Sequence, residues 1–430
     1  MISGQHWLTY SLVIIGFVTL IGRVGKGQSQ PASNSGALVE SHVRGGLPNF
    51  FHKIQSGQEV RIAYIGGSIT EARDGWRDLT FNWFRVTYPH TPFRQIDATI
   101  GGTGSDLGVF RMDRDVLSQQ PDLVFVEFAV NDYGRTVESI RLSIEGIVRK
   151  TWKQYPSADI CFVYTIAENV VETLRKGAYQ HSALAMEQIA DRYQIPSIHL
   201  GVEVVRLLES GKLIFTGDPE ANPGKIVFTR DRTHPLTASG HPIYAHSVVQ
   251  FMQKLEPVNA ASPHSLPAPV DAYNWEQAQM IPLTALKRTG KWEELPASDE
   301  RRQRFSQFMP TLYRADPPDG SLTVTFVGNV LGFYDVVGLQ SGIVEVIVDQ
   351  QAPTYVYRFD QWCNSYRKST FFVPNLSDGR HQVTIRVSDK AFDKAEILKK
   401  RSITMTNPND YVGTNWFPAS VLLVGQLQND

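Results

Sequence analysis

Apolar positions along the chain follow two regimes. From about residue 59 to 255, short apolar runs alternate with longer stretches whose apolar residues recur at helical intervals. The runs Arg61–Ile65, Phe93–Ile100, Leu123–Phe128, Ile160–Thr165 and Ile195–Leu200 predict strands. Val137–Gln154, with Ile140, Ile144, Ile147 and Val148 on one face, predicts a helix, as do Leu174–Tyr193 and Pro242–Lys254. Strands that are apolar throughout need cover on both faces, so the alternation predicts a doubly wound α/β domain with a parallel sheet. Beyond Pro- and Ala-rich Glu256–Pro269 the period changes. Leu322–Phe326, Gly342–Asp349, Thr354–Phe359, Ser369–Val373, His381–Val387 and Val421–Gly425 are short β-branched and aromatic runs, some separated by Asp-Gly turns. That pattern predicts an all-β sandwich. The expected division is therefore a leader over 1–36, an α/β domain over 37–255, a linker over 256–270 and a β-sandwich over 271–430. Loops of the second domain carry Trp292, Tyr313, Trp362 and Tyr366, which suit stacking on sugars as well as core packing or domain docking.

Composition changes this picture little. The 430 residues are 42% hydrophobic and 20% charged with a formal net charge of −1, which gives no sign of a nucleic-acid partner or a polybasic membrane patch. Cys161 and Cys363 fall in different expected domains, form no metal-ligand spacing and read as unpaired thiols. At the N-terminus, Leu8–Gly22 is charge-free and mostly apolar, short for a membrane span and suited to a signal-peptide core. Arg23 and Lys26 follow that core and no Lys or Arg precedes it, so a retained N-terminal anchor is the alternative to export. Secretion, a periplasmic location or display at the cell surface is expected.

Candidate chemistry begins where the first strand ends. Val60, Ile62, Ala63, Tyr64 and Ile65 run into Gly66-Gly67-Ser68, which places a serine at the carboxyl end of a buried strand, the usual ligand crevice of an open α/β sheet. Serine hydrolysis also needs a base, an orienter for that base and donors for the developing oxyanion. Asp231-Arg-Thr-His234-Pro235 is the D-x-x-H of the α/β stretch, a spacing that lets one short loop present both side chains together. His241 is the rival histidine, with no carboxylate three residues before it. Donors are available in glycine-rich Ile100–Gly108, which lacks a Walker-type lysine, and in Asn131, which with Asp132 ends the run from Val124. Thr70 stands where a G-x-S-x-G elbow would have its second glycine.

These four stretches, in this order over roughly residues 59–255, resemble the blocks of the SGNH/GDSL hydrolase family. The resemblance implies Ser68 as nucleophile, His234 as base, Asp231 as its orienter, and an oxyanion hole built from the Ser68 and Gly102 amides and the Asn131 side chain. Two positions depart from the family pattern: Gly67 replaces the usual aspartate before the serine, and Ala129 stands where the third block often has glycine. The implied activity is hydrolysis of carboxylic esters through an acyl-enzyme, with no metal or cofactor required. Export and an appended β-sandwich resemble exported carbohydrate esterases that remove acetyl groups from glycans. Competing readings are a lipase or phospholipase, a glycan O-acyltransferase and a non-catalytic surface glycan-binding protein. Charged Glu71, Arg73, Asp74, Arg77 and Asp78 follow the serine and suit either a polar substrate neighbourhood or a solvated helix face.

Overall fold

The computed structural model describes residues 38–256 and 260–428; the apolar Leu8–Gly22 lies outside the described residues. The first sheet contains β1 (Ser41–His42), β2 (Val60–Gly66), β3 (Phe93–Thr99), β4 (Leu123–Glu127), β5 (Asp159–Tyr164) and β6 (Ser197–His199). Their spatial order is β1-β6-β5-β4-β2-β3, with all neighbours parallel except β1 against β6. Strands two to six thus have the flavodoxin-like order, whose switch point lies between β2 and β4.

Alternation along the strands sends side chains to two separate cores. Ala63, Ile65, Val124, Val126, Ile160 and Phe162 meet helices α4 (Ser105–Asp115), α5 (Val137–Gln154) and α7 (His181–Tyr193). Ile62, Tyr64, Leu123, Phe125, Cys161 and Val163 meet α1 (Pro48–Gln55), α3 (Trp76–Thr87) and α9 (Gly240–Leu255). The remaining α-helices of this domain are α2 (Ser68–Glu71), α6 (Val171–Arg175) and α8 (Gly201–Glu209). The single helix expected over Leu174–Tyr193 is broken instead between α6 and α7. Gly177 adopts φ +72 there, a left-handed conformation that a helix cannot contain. A parallel pair, β7 (Leu213–Thr216) and β8 (Ile226–Thr229), precedes the D-x-x-H loop. Residues after α9 run as a strap over α5: His264 stacks on Trp152 and bonds Asp159 at 2.7 Å, and Glu145 accepts from the Val270 and Asp271 amides.

The second domain is antiparallel. It comprises β9 (Ala278–Pro282), β10 (Arg288–Thr289), β11 (Trp292–Glu294), β12 (Tyr313–Ala315), β13 (Ser321–Val337), β14 (Ile343–Val348), β15 (Thr354–Tyr357), β16 (Arg367–Phe372), β17 (Gly379–Ser388) and β18 (Phe417–Leu427). The expected run Leu322–Phe326 is the opening of β13, which spans 17 residues and pairs first with β17 and then with β16 on the same side. An irregularity between Gly328 and Val330 swaps its faces, so Leu322, Val324 and Phe326 before it, and Leu331 and Phe333 after it, share one core. The opposite face carries Tyr334 and Val336, which with Phe417, Ala419, Leu422 and Val424 of β18 join the core around α4 and α5. One continuous apolar cluster therefore binds the two domains. Cys161 and Cys363 are buried free thiols. Among the described residues no helix is long and apolar enough to cross a membrane.

Candidate active site

The sheet topology brings the ends of β3, β2, β4 and β5 side by side, and the sequence-predicted residues sit just beyond them. Ser68 opens α2 directly after β2. His234 reaches over it from the loop after β8, with Nε2 2.8 Å from Ser68 Oγ. Its other ring nitrogen, Nδ1, lies 2.7 Å from Asp231 Oδ2. The second carboxylate oxygen, Oδ1, accepts from the Thr233 amide at 3.0 Å, the His234 amide at 2.8 Å and the Thr229 hydroxyl at 3.0 Å. Partial burial opposes ionisation of Asp231, but bonds from the His234 amide and ring, then the Thr233 amide and Thr229 hydroxyl, hold the carboxyl well below the usual range. An ionised Asp231 is acceptor-only, so the proton between the two groups resides on Nδ1 and leaves Nε2 free to accept from the serine. The loop is braced from outside by Glu168, whose amide donates to Arg232 O at 2.8 Å and whose carboxylate pairs with the Arg232 guanidinium at 3.3 Å.

The expected oxyanion residues gather around the same serine. Asn131 begins the short helical turn after β4, and its amide packs directly on Gly67. A Cβ at position 67 would lie 1.9 Å from Asn131 Oδ1, so glycine is required there and the departure from the family pattern has a steric cause. The glycine loop after β3 closes the other side: a Cβ at Gly101 would stand 3.4 Å from Ser68 Cβ. Gly102 has φ +75 with open space around its Cα, so its backbone conformation rather than crowding demands glycine. Ala129, the second departure, is buried and accepts from Ser182 Oγ through its carbonyl at 2.6 Å.

His241 has a different place. It is buried, and Nδ1 accepts from the Trp76 amide at 3.1 Å at the start of α3. Burial, reinforced by nearby His234, lowers its pKa to about 4, so it is a neutral structural acceptor. The charges after the serine divide. Arg73 and Asp74 are exposed, whereas Arg77 is buried and pairs with Asp78 and Asp97. Most of the aromatic residues proposed for sugar stacking are consumed by packing. Tyr313 is buried, Trp292 packs against Tyr313 and Trp416, Tyr366 packs against Phe417 and Arg301, and the Arg401 guanidinium covers the Trp362 ring at 3.1 Å.

Two buried carboxyls flank Asn131, and neither was singled out from the sequence. Asp132 accepts from the Ser105 amide at 3.0 Å, capping α4 from across the site because the residue before that helix is Gly104. Burial, with Asp106 alongside, pushes its pKa up to about 7, and Asp106 in turn bridges to Arg135 at 2.5 Å. Glu127, the last residue of β4, is fully buried. The available signal was an acid inside an otherwise apolar run. The second domain also reaches this edge: Lys368, Ser369, Thr370 and Tyr334 face Gly102–Gly104 across a crevice of about 40 Å³. On the other side of Asn131, a cleft of about 650 Å³ opens over the ends of β4 and β5, lined by Tyr133, Glu168, Asn169, Gln180, Arg232 and Thr233 among others.

Residues 64–239 match the GDSL-like lipase/acylhydrolase family. No curated protein matches the chain in sequence. Among solved structures, a two-domain esterase active on acetylated mannans, co-crystallised with mannopentaose, is similar at 21% identity and a TM-score of 0.69, over 90% of this chain and 97% of that one. The same esterase without the sugar gives 22% identity and a TM-score of 0.69 over the same shares. A mutant of the acetylxylan esterase Axe2 from Geobacillus stearothermophilus aligns at 19% identity and a TM-score of 0.37, over 45% of this chain and 94% of that one. The two-domain likeness extends to the whole fold, a parallel α/β domain followed by an antiparallel β-domain. The chain thus carries, over residues 64–239, a GDSL-like lipase/acylhydrolase domain.

Proposed function

We propose that this protein is a serine esterase that removes acetyl groups from a polysaccharide through a Ser68–His234–Asp231 acyl-enzyme mechanism. The observation that carries the proposal is the unbroken chain of contacts from Ser68 Oγ to His234 Nε2 at 2.8 Å and from His234 Nδ1 to Asp231 Oδ2 at 2.7 Å. Ser68 Oγ attacks the ester carbonyl as Nε2 takes its proton. Charge on the carbonyl oxygen is met by the Ser68 and Gly102 amides and the Asn131 side chain. The imidazolium, steadied by Asp231, then protonates the departing sugar oxygen. Water then attacks the acyl carbon as the same nitrogen takes its proton, the bond to Ser68 Oγ breaks, and the imidazolium returns that proton to Oγ, releasing acetic acid and free serine.

Because the departing oxygen must lie at Nε2, the glycan belongs beside His234. The cleft lined by Arg232, Thr233 and Tyr133 adjoins that position. Its lining sets the hydrogen-bonding side chains Glu168, Asn169, Gln180, Arg232 and Thr233 beside one accessible aromatic ring, Tyr133, and small apolar residues, a mixture that suits a sugar. The likeness in fold to an esterase acting on acetylated mannans supports the same substrate class. An extracellular polysaccharide also accords with export directed by Leu8–Gly22. Acetate release from acetylated oligosaccharides, compared with release from longer-chain esters, tests the proposal. Preference for acetylated glycans is expected, and turnover confined to long-chain esters would refute it.

A further inference from the structure

An acid at the end of a buried strand is costly unless its oxygens are bonded. Glu127 is such an acid, and its bonds lead to one place. Oε2 accepts from the Thr70 hydroxyl at 2.7 Å and Oε1 from the Thr165 hydroxyl at 2.6 Å. The Gly67 amide lies near enough to favour the charged form of this carboxyl. Gly67 immediately precedes Ser68, and Thr70 lies two residues after it in α2. Thr165 directly follows β5. One carboxyl therefore ties together the ends of β2, β4 and β5 beneath the nucleophile turn. No Lys, Arg or His bonds to it among the described residues, so electrostatic pairing does not explain its presence.

Resting on Ser68 as the nucleophile, we propose that Glu127 is a positioning residue, holding the turn from β2 into α2 so that the Ser68 hydroxyl and amide keep their aim. Two hydroxyls bond its two oxygens, one of them from Thr70 two residues after Ser68, and the Gly67 amide before Ser68 lies close by. An acyl-transfer transition state is sensitive to displacement on the scale of about 1 Å, which can cost on the order of 10² in rate. Loosening this grip affects the reacting geometry while leaving the substrate cleft intact.

The test uses Glu127→Gln, Thr70→Val and the double variant, with rates on a chromogenic acetate ester expressed per site titrated by a serine-reactive phosphonate. Thr70→Val removes a single hydroxyl at constant volume and keeps the proposal testable should Glu127→Gln fold poorly. Each single variant is expected to lower kcat by roughly tenfold or more with KM nearly unchanged. Thr70→Ser, which keeps the hydroxyl, is expected to restore most of that loss. Since the two groups act through one bond, the double variant should lose no more than the worse single. Wild-type kcat per titrated site in both singles, or losses that multiply in the double, would overturn the proposal. Turnover surviving Ser68→Ala would instead defeat the nucleophile assignment, whatever Glu127 does.

Discussion

The site is built from two carboxyl environments a few residues from the same serine. At the rim, Asp231 is half-exposed and surrounded by backbone amides, with its imidazole partner, and its carboxyl ionises readily. On the floor, Glu127 and Asp132 are buried on either side of Asn131, and burial shifts both toward the neutral form. In the proposed mechanism the rim group supports a histidine that gains and loses a proton each turnover while water enters and alcohol leaves. The floor groups hold backbone in place. Residues of one chemical type thus serve motion where the protein is wet and registration where it is dry.

Breaking the rim should cost most. Ser68→Ala is expected to lower kcat by on the order of 10⁴–10⁶ with an unchanged fold, checked by ester turnover and circular dichroism. Asn131→Ala, which removes the proposed oxyanion donor, is expected to lower kcat by about 10²–10³ with little change in KM. A pure KM effect would assign Asn131 to substrate binding. Tyr133→Ala is a milder change in the cleft. It should raise KM for an acetylated oligosaccharide by about tenfold and leave a small acetate ester unaffected, because a lost sugar–ring contact is worth about 1 kcal/mol or somewhat more.

The smallest effect sharpens the floor itself. Asp132 has a folded pKa of about 7, above that of an unfolded aspartate, so the folded protein holds this proton more tightly. The stability linked to it is full below about pH 4 and declines as pH rises toward about 7. Urea unfolding across that window should give a falling free energy in the wild type and a flatter profile in Asp132→Asn. Equal slopes would place the titration elsewhere.

Much of the rim was legible in the sequence because its signals are local. The Gly66-Gly67-Ser68 turn ends an apolar run, and the three-residue spacing of Asp231 and His234 is visible without a structure. The floor was not. Glu127 meets Thr70 and Thr165 across separations of 57 and 38 residues, and nothing in either threonine's neighbourhood marks it. Asp132 reads in the sequence only as the residue after Asn131, because its part in capping α4 depends on a contact across 27 residues. In the second domain the full length of β13 was obscured by Gly328, Asn329 and Gly332, which interrupt its apolar alternation while the strand continues through a bulge. The strand's two faces serve different cores, a division that periodicity within one short window cannot reveal.

The most direct measurement is mass-spectrometric mapping of a serine-reactive phosphonate on the folded, active protein. The label is expected on Ser68 alone, with turnover lost in step with its incorporation and incorporation greatly slowed in His234→Ala. Label on another residue, or full turnover after Ser68 is modified, would contradict the assignment of this hydroxyl as the nucleophile.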